Sequence, residues 1–260
     1  MSHDLRYLAA RKDIMKMKSQ IIGRCKKCKG KGVIPIKMNE KLGIVTEDCQ
    51  CKKTFNKVKA LLIAGAPVRR ALSSNDKFIV KKTRNMITDK QINTNSLINK
   101  YLDKFDKMSK EGVGLLFFGE PGTGKTTCSM RIMTELIAKE IDCSYIYFKD
   151  MMSLMIDGYT NKNSARLLRE ILDSKFLIVD ELSLVGRITP HMVAEFTTIC
   201  KQRFENLKPS IIISNYVTIE DLAMNFGQQL ESLIKEAFIP FIFIGDDIRE
   251  RNMDRLRQYF

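Results

Sequence analysis

A chain of 260 residues, 44% of them hydrophobic and with 44 Lys and Arg against 30 Asp and Glu, is long enough for one full α/β domain plus a small module. It contains no run of about 18 uncharged apolar residues, so no membrane-spanning helix is expected, and Met1-Ser2-His3-Asp4-Leu5-Arg6 lacks the apolar core of a secretory signal. A cytoplasmic protein is therefore expected, with its seven cysteines serving as thiols or metal ligands rather than disulfides.

Residues 4–22 set Leu5, Leu8, Ile14, Met15, Ile21 and Ile22 among lysines and arginines, a pattern that suits an amphipathic helix or a partner-docking segment. Next come Cys25-Lys26-Lys27-Cys28 and Cys49-Gln50-Cys51, two short-spaced pairs able to gather four thiolates in the tetrahedral set that Zn²⁺ takes. Between them Val33–Lys37 and Gly43–Thr46 read as a small hairpin, so a zinc-ribbon-like module is expected over about 23–53. The histidines, His3 and His191, lie outside it, which leaves Cys25, Cys28, Cys49 and Cys51 as the ligands. With four protein ligands no position stays open for chemistry, and the expected role is structural. Residues 54–65 read as a helix stopped by Gly65-Ala66-Pro67, residues 68–92 as a linker of weak periodicity, and residues 92–110 as another helix. The expected division is a docking module at 1–66, a linker at 67–92 and a main α/β domain at 93–260.

From residue 114 apolar strands alternate with helices, which calls for a parallel sheet covered on both faces. The expected strands are Gly114–Phe118, Ser144–Phe148, Phe176–Asp180, Ser210–Ser214 and Phe241–Ile244, with helices at Asp150–Gly158, Ser164–Ser174, Pro190–Asn206 and Ile219–Phe226. The first strand runs into Gly119-Glu120-Pro121-Gly122-Thr123-Gly124-Lys125-Thr126, then Thr127 and a helix. This is G-x-x-x-x-G-K-[ST] in the strand–loop–helix setting of a phosphate-binding P-loop. Glycines let backbone N–H groups turn inward around phosphate oxygens, Lys125 reaches the β- and γ-phosphates, and the Thr126 hydroxyl is suited to Mg²⁺. Residues Gly119 to Thr127 are thus the expected ATP contacts. Phe176-Leu177-Ile178-Val179-Asp180-Glu181 supplies the carboxylates: Asp180 to hold Mg²⁺, through water, and Glu181 to act on the attacking water.

Charge is distributed unevenly. Residues 1–110 hold 27 Lys and Arg against 9 Asp and Glu, whereas the remaining 150 hold 17 against 21. The basic excess belongs to the N-terminal part and points to contact with a polyanion such as nucleic acid, or with an acidic partner surface.

With its motifs placed, the chain resembles the DnaC/DnaI/IstB branch of the AAA+ ATPases, of which replicative helicase loaders make up most. The P-loop from Phe118 to Thr126 is similar to that branch's. So are Gln202-Arg203-Phe204-Glu205-Asn206 running into Lys208-Pro209-Ser210-Ile211-Ile212-Ile213-Ser214-Asn215, then Ile219-Glu220-Asp221-Leu222, and Gly65-Ala66-Pro67 with Arg69-Arg70 before the core. The resemblance implies an AAA+ P-loop fold built on a five-stranded parallel sheet. It makes Asn215 the sensor 1 residue that polarises the attacking water, and Arg249 the sensor 2 arginine that contacts γ-phosphate. At the branch's trans-acting arginine finger this chain has Leu233, with Lys235 the nearby cation, so ATP is expected to act largely as a switch, with Arg203 and Arg249 the first places to seek a finger. The implied partners are a replicative hexameric helicase, single-stranded DNA, and further copies of the chain assembling by themselves or on the helicase. Two alternatives stay open: an IstB-like transposition helper assembling on duplex DNA, and a zinc-ribbon adaptor with a purely structural ATP site.

Overall fold

The computed structural model describes residues 5–39, 43–73, 82–183 and 189–245, and the chain divides into two units between Asn75 and Asp76. The first unit opens with α1 (Leu5–Lys18), which runs into a π-helical turn at Ser19–Gly23. Strands β1 (Val33–Asn39) and β2 (Gly43–Asp48) form an antiparallel hairpin with an irregular register between Pro35 and Lys37. Helices α2 (Gln50–Ile63) and α3 (Val68–Ser73) complete it. Its apolar centre is small: Ile14 and Met17 of α1 with Phe55, Val58, Leu61 and Leu62 of α2. Of the apolar residues expected to mark one face of the first helix, Leu8 and Met15 remain exposed.

The second unit takes its form from one mixed sheet. Strands β3 (Lys82–Asn85) and β4 (Gln91–Asn93) precede α4 (Thr94–Lys110) and β5 (Gly114–Phe118). Next come α5 (Lys125–Ala138), β6 (Cys143–Tyr147), α6 (Phe148–Gly158), α7 (Lys162–Asp173) and β7 (Phe176–Leu182). The chain continues through α8 (Pro190–Glu205), β8 (Ser210–Ser214), α9 (Ile219–Ala237) and β9 (Phe238–Ile244). The order across the sheet is β4-β3-β9-β5-β8-β7-β6. The five strands β9, β5, β8, β7 and β6 run parallel, as the alternation of strands and helices predicts.

Two antiparallel strands, β3 and β4, extend this parallel set at the β9 edge. Strand β3 and the start of β4 fall in the 67–92 stretch read as a linker, which also holds α3. The reason they escape a sequence reading is chemical: Lys82-Thr83-Arg84-Asn85 is polar throughout, and its one fully buried side chain, Thr83, sends its hydroxyl 2.9 Å to the Ile92 carbonyl.

Central strands β5 and β8 are buried at every residue, the composition demanded of parallel strands covered on both faces. On one face Phe148, Phe196 and Phe226 bring α6, α8 and α9 together edge to face, with centroids 5.1–6.3 Å apart. On the other, Tyr101 and Phe105 of α4 meet Phe176 of β7. Side-chain caps fix where four of these helices begin: Asn93, Asn161, Thr189 and Thr218 each accept a backbone N–H of the first turn. Gly227, at φ 84°, interrupts α9 with a non-helical residue, so that element is two helical segments joined at a bend.

Candidate functional site

The carboxyl ends of β5, β8 and β7 lie side by side, because β8 runs between the other two. That order places the loop after β5, Asn215 after β8 and Asp180-Glu181 at the end of β7 along one edge of the sheet. The loop requires glycine at its entry. Gly119 sits at φ 115° with its N–H 2.8 Å from the Tyr216 carbonyl, and a Cβ there would stand 2.6 Å from the Phe243 carbonyl oxygen. Helix α5 then starts from Gly124, in a left-handed conformation and with no side-chain cap. Its first-turn N–H groups are therefore not satisfied by an N-cap side chain, which is how a helix end is left to receive an anion.

Lys125 is 5% exposed, and its ammonium donates to the carbonyls of Gly119 and Glu120, the latter at 2.7 Å. Thr123 donates to the same Glu120 carbonyl at 2.8 Å. Thr126 is half-buried, Thr127 exposed, and Glu120 and Pro121 are exposed on the loop.

The two carboxylates at the end of β7 have opposite environments. Asp180 is 2% exposed and Glu181 is exposed. A bulge separates them: Val179 pairs with Ile212 but Leu182 pairs with Ser214, so β7 carries one residue more than β8 over this step. Glu181 occupies the bulge at φ 58°, a left-handed conformation that a non-glycine residue adopts rarely and that concentrates at functional sites. Its N–H donates to Asp180 Oδ1 at 2.8 Å. The other oxygen, Oδ2, accepts from the hydroxyl of Tyr145 on β6 at 2.6 Å. Burial, with the Asp180 charge adding to it, raises the Tyr145 hydroxyl far above its ordinary range, so it remains a donor. Sequence reasoning passed over Tyr145; the available signal was weak, a tyrosine in Cys143-Ser144-Tyr145-Ile146-Tyr147, the buried strand that pairs with β7. Asn215 is exposed, one residue before the Tyr216 carbonyl that holds Gly119.

In the first unit the Sγ atoms of Cys25, Cys28, Cys49 and Cys51 all lie within 4.8 Å of one another, the one such group of metal-ligating side chains among the described residues. Cys25 and Cys49 are 3.9 Å apart and Cys28 and Cys51 3.5 Å. Four thiolates at about 2.3 Å from zinc form a tetrahedron with edges of about 3.8 Å, so the cluster lies within about 1 Å of the arrangement the ion requires. The second pair comes from the start of α2, with Cys49 as its N-cap and Cys51 in its first turn, rather than from a ribbon strand. A helix N-terminus favours thiolate, and the Gly32 N–H donates to Cys28 Sγ at 3.2 Å. The Cys28 backbone N–H lowers the Cys25 thiol to about 7, whereas burial, followed by the neighbouring cysteines, raises that of Cys51. Four thiolates packed this closely repel one another, a charge problem that a divalent cation resolves. Cys128, Cys143 and Cys200 are buried and lie outside the cluster.

Residues 115–202 match a family described as RNA helicase, a span that runs from β5 into α8 and so includes the loop and both carboxylates. The chain is 25% identical over 164 residues to the replicative helicase loader DnaC of Escherichia coli K12, covering 62% of this chain and 65% of that loader, just under two thirds of its length. The crystal structure of the DnaC helicase loader superposes at a TM-score of 0.50 with 26% identity, over 57% of this chain and 87% of that one. AMPPCP-bound DnaA from Aquifex aeolicus shares the fold at 15% identity and TM-score 0.50, over 62% of this chain and 50% of that one.

The second unit resembles the AAA+ fold of the DnaC helicase loader. Seen as such, its departures become specific. Leu233, the position where the resemblance expects the arginine finger, is 6% exposed and packs in the core on the inner face of α9. Lys235 is exposed and holds Glu231 at 2.6 Å, an ion pair that raises the lysine. Arg203, a suggested source of the finger, is ruled out by burial: 4% exposed, it donates to Ser210 Oγ at 2.8 Å and to the carbonyls of Leu172, Ser174 and Pro209. These groups lie where β7 and β8 begin, the opposite edge of the sheet from the loop. Arg249 lies outside the described residues.

Proposed function

We propose that the chain is an ATP-dependent helicase loader, which docks a replicative hexameric DNA helicase and delivers it to single-stranded DNA during replication. One observation carries the reading: the sheet edge that gathers the P-loop, Asp180-Glu181 and Asn215 belongs to a fold shared with DnaC, and a separate cysteine module precedes it.

In this reading residues 119–127 hold the ATP phosphates, with the Lys125 ammonium exchanging its two loop carbonyls for β- and γ-phosphate oxygens. Thr126 and Asp180 would hold Mg²⁺, which when bound neutralises charge on those oxygens. Both Asp180 oxygens already accept one protein hydrogen bond, which favours contact through water. Glu181, exposed beside it, would orient a water and take its proton. Asn215 would polarise the same water, and Arg249 would contact γ-phosphate. Zn²⁺ on Cys25, Cys28, Cys49 and Cys51 would hold the N-terminal module in its docking form.

The test is co-purification with the replicative helicase of the same cell, followed by loading of that helicase onto circular single-stranded DNA with and without ATP. Capture of the hexamer and ATP-dependent loading are expected. Failure to capture it, together with ATP-dependent filaments on duplex DNA, would replace this reading with the transposition-helper one.

A further inference from the structure

We propose that Tyr145 is a positioning residue for the metal-holding carboxylate, fixing Asp180 through its hydroxyl so that one defined edge of that carboxylate is presented to the cation. The proposal rests on the reading of Asp180 as the Mg²⁺-holding group.

The geometry is built from two strands. Strands β6 and β7 are parallel neighbours, with Tyr145 opposite Ile178 and Tyr147 opposite Asp180. Alternation along a strand puts the side chains of Tyr145 and Tyr147 on one face, where their rings meet edge-on at 5.4 Å. The Asp180 carboxylate lies on that face, 2.6 Å from the Tyr145 hydroxyl. Tyr145 and Asp180 are each 2% exposed, so water does not compete freely for the contact.

A buried carboxylate has lost its water and needs hydrogen bonds in its place. Here Oδ1 is held by the Glu181 N–H and Oδ2 by Tyr145. Each oxygen has two acceptor positions, so one on each remains for a metal or its water. The Glu181 contact is local and comes with the bulge; a single local bond leaves the carboxylate free to rotate about it. The Tyr145 bond comes from another strand and removes that rotation. Outer groups of this kind typically change metal affinity by about 10–100-fold when lost.

The variant is Tyr145→Phe, which removes one oxygen and keeps the ring that packs on Tyr147. Tyr101→Phe is the control: it too is a buried tyrosine beside β7, but its hydroxyl has no hydrogen-bond partner among the described residues. Binding of a fluorescent ATP analogue is titrated with Mg²⁺, and again in EDTA, on proteins whose melts verify that they are folded. For Tyr145→Phe the Mg²⁺ needed for half-maximal binding is expected to rise about 10-fold or more while metal-free affinity holds within about twofold. A rise of less than about threefold, an equal loss of metal-free affinity, or an equal shift in Tyr101→Phe would overturn the proposal. Asp180→Asn, run alongside, separates the two levels. If it leaves the Mg²⁺ requirement unchanged, the reading of Asp180 falls and this proposal with it; if it raises that requirement and Tyr145→Phe does not, the proposal alone falls.

Discussion

Arg203 and Ser210 are joined by a 2.8 Å hydrogen bond from the guanidinium Nε to the Ser210 hydroxyl, buried where β8 begins. With three carbonyls accepting three of its four other N–H groups, the arginine ties the ends of α7 and α8 to the starts of β7 and β8. Its work is to hold the amino edge of the sheet in register. The strands that carry Asp180 and Asn215 leave from that edge, so Arg203 influences the nucleotide site only through the fold.

Arg203→Met should therefore lower stability by about 2–4 kcal/mol, since bonds to a charged donor are worth about 1.5–3 kcal/mol each and the vacated carbonyls stay buried. The remaining folded protein should bind ATP with the parent's affinity. Burial lowers the Arg203 group to about 10, so its charge costs a constant amount below that pH and the cost falls away only above it. The stability difference should be flat between pH 6 and 9. Urea melts at several pH values, paired with nucleotide titrations, check both statements; intact stability with lost turnover would restore Arg203 as a finger.

Lys125→Ala should abolish nucleotide binding or weaken it severely. Glu181→Gln should retain binding and lose turnover by about 10²–10⁴-fold, because the carboxylate acts on water and not on phosphate. Equilibrium binding and single-turnover hydrolysis separate the two. Equal hydrolysis by Glu181→Gln and the parent would remove the assigned role.

Zinc should be found at one ion per chain in protein purified under reducing conditions. Cys25→Ser, or a strong chelator, should unfold the first unit and weaken helicase capture while the second unit keeps its ATP affinity, since metal binding and module folding are coupled. Metal analysis with limited proteolysis reads this directly, and metal-free protein with a protease-resistant N-terminal unit would contradict it.

Single-stranded DNA should bind in the presence of ATP with little sequence preference and steep salt dependence. Each neutralised phosphate should contribute about −0.7 to the slope of log affinity against log salt. Fluorescence anisotropy across a salt series is the measurement, and a flat response would show that the basic excess of residues 1–110 serves another purpose.

Turnover by the protein alone should be slow. A finger supplies about 10³–10⁵ in rate in related phosphoryl-transfer systems, and Leu233 faces the core while Lys235 is engaged with Glu231. A lysine also lacks the planar fork of arginine. Steady-state ATPase rates should respond more to added helicase or DNA than to protein concentration. Fast, cooperative hydrolysis by the isolated chain would reveal a working finger elsewhere.

The sequence by itself determined what depends on contiguous residues. Eight residues from Gly119 make the P-loop because the backbone that cradles phosphate is the backbone of those same residues. The cysteine pairs declare a ligand set for the same reason, and five runs of apolar residues declare five buried parallel strands. Tertiary structure decided whatever depends on which strand lies beside which. Tyr145 reaches Asp180 across 35 residues because β6 pairs with β7, and the bulge that exposes Glu181 exists only as a mismatch with β8. The sequence puts a leucine at 233, but only the packing on the inner face of α9 turns that position inward. Arg203 could be read as a candidate finger while its partners were unknown; the four acceptors it finds where β7 and β8 begin are brought together by the sheet, and a guanidinium buried there satisfies backbone carbonyls that water cannot reach.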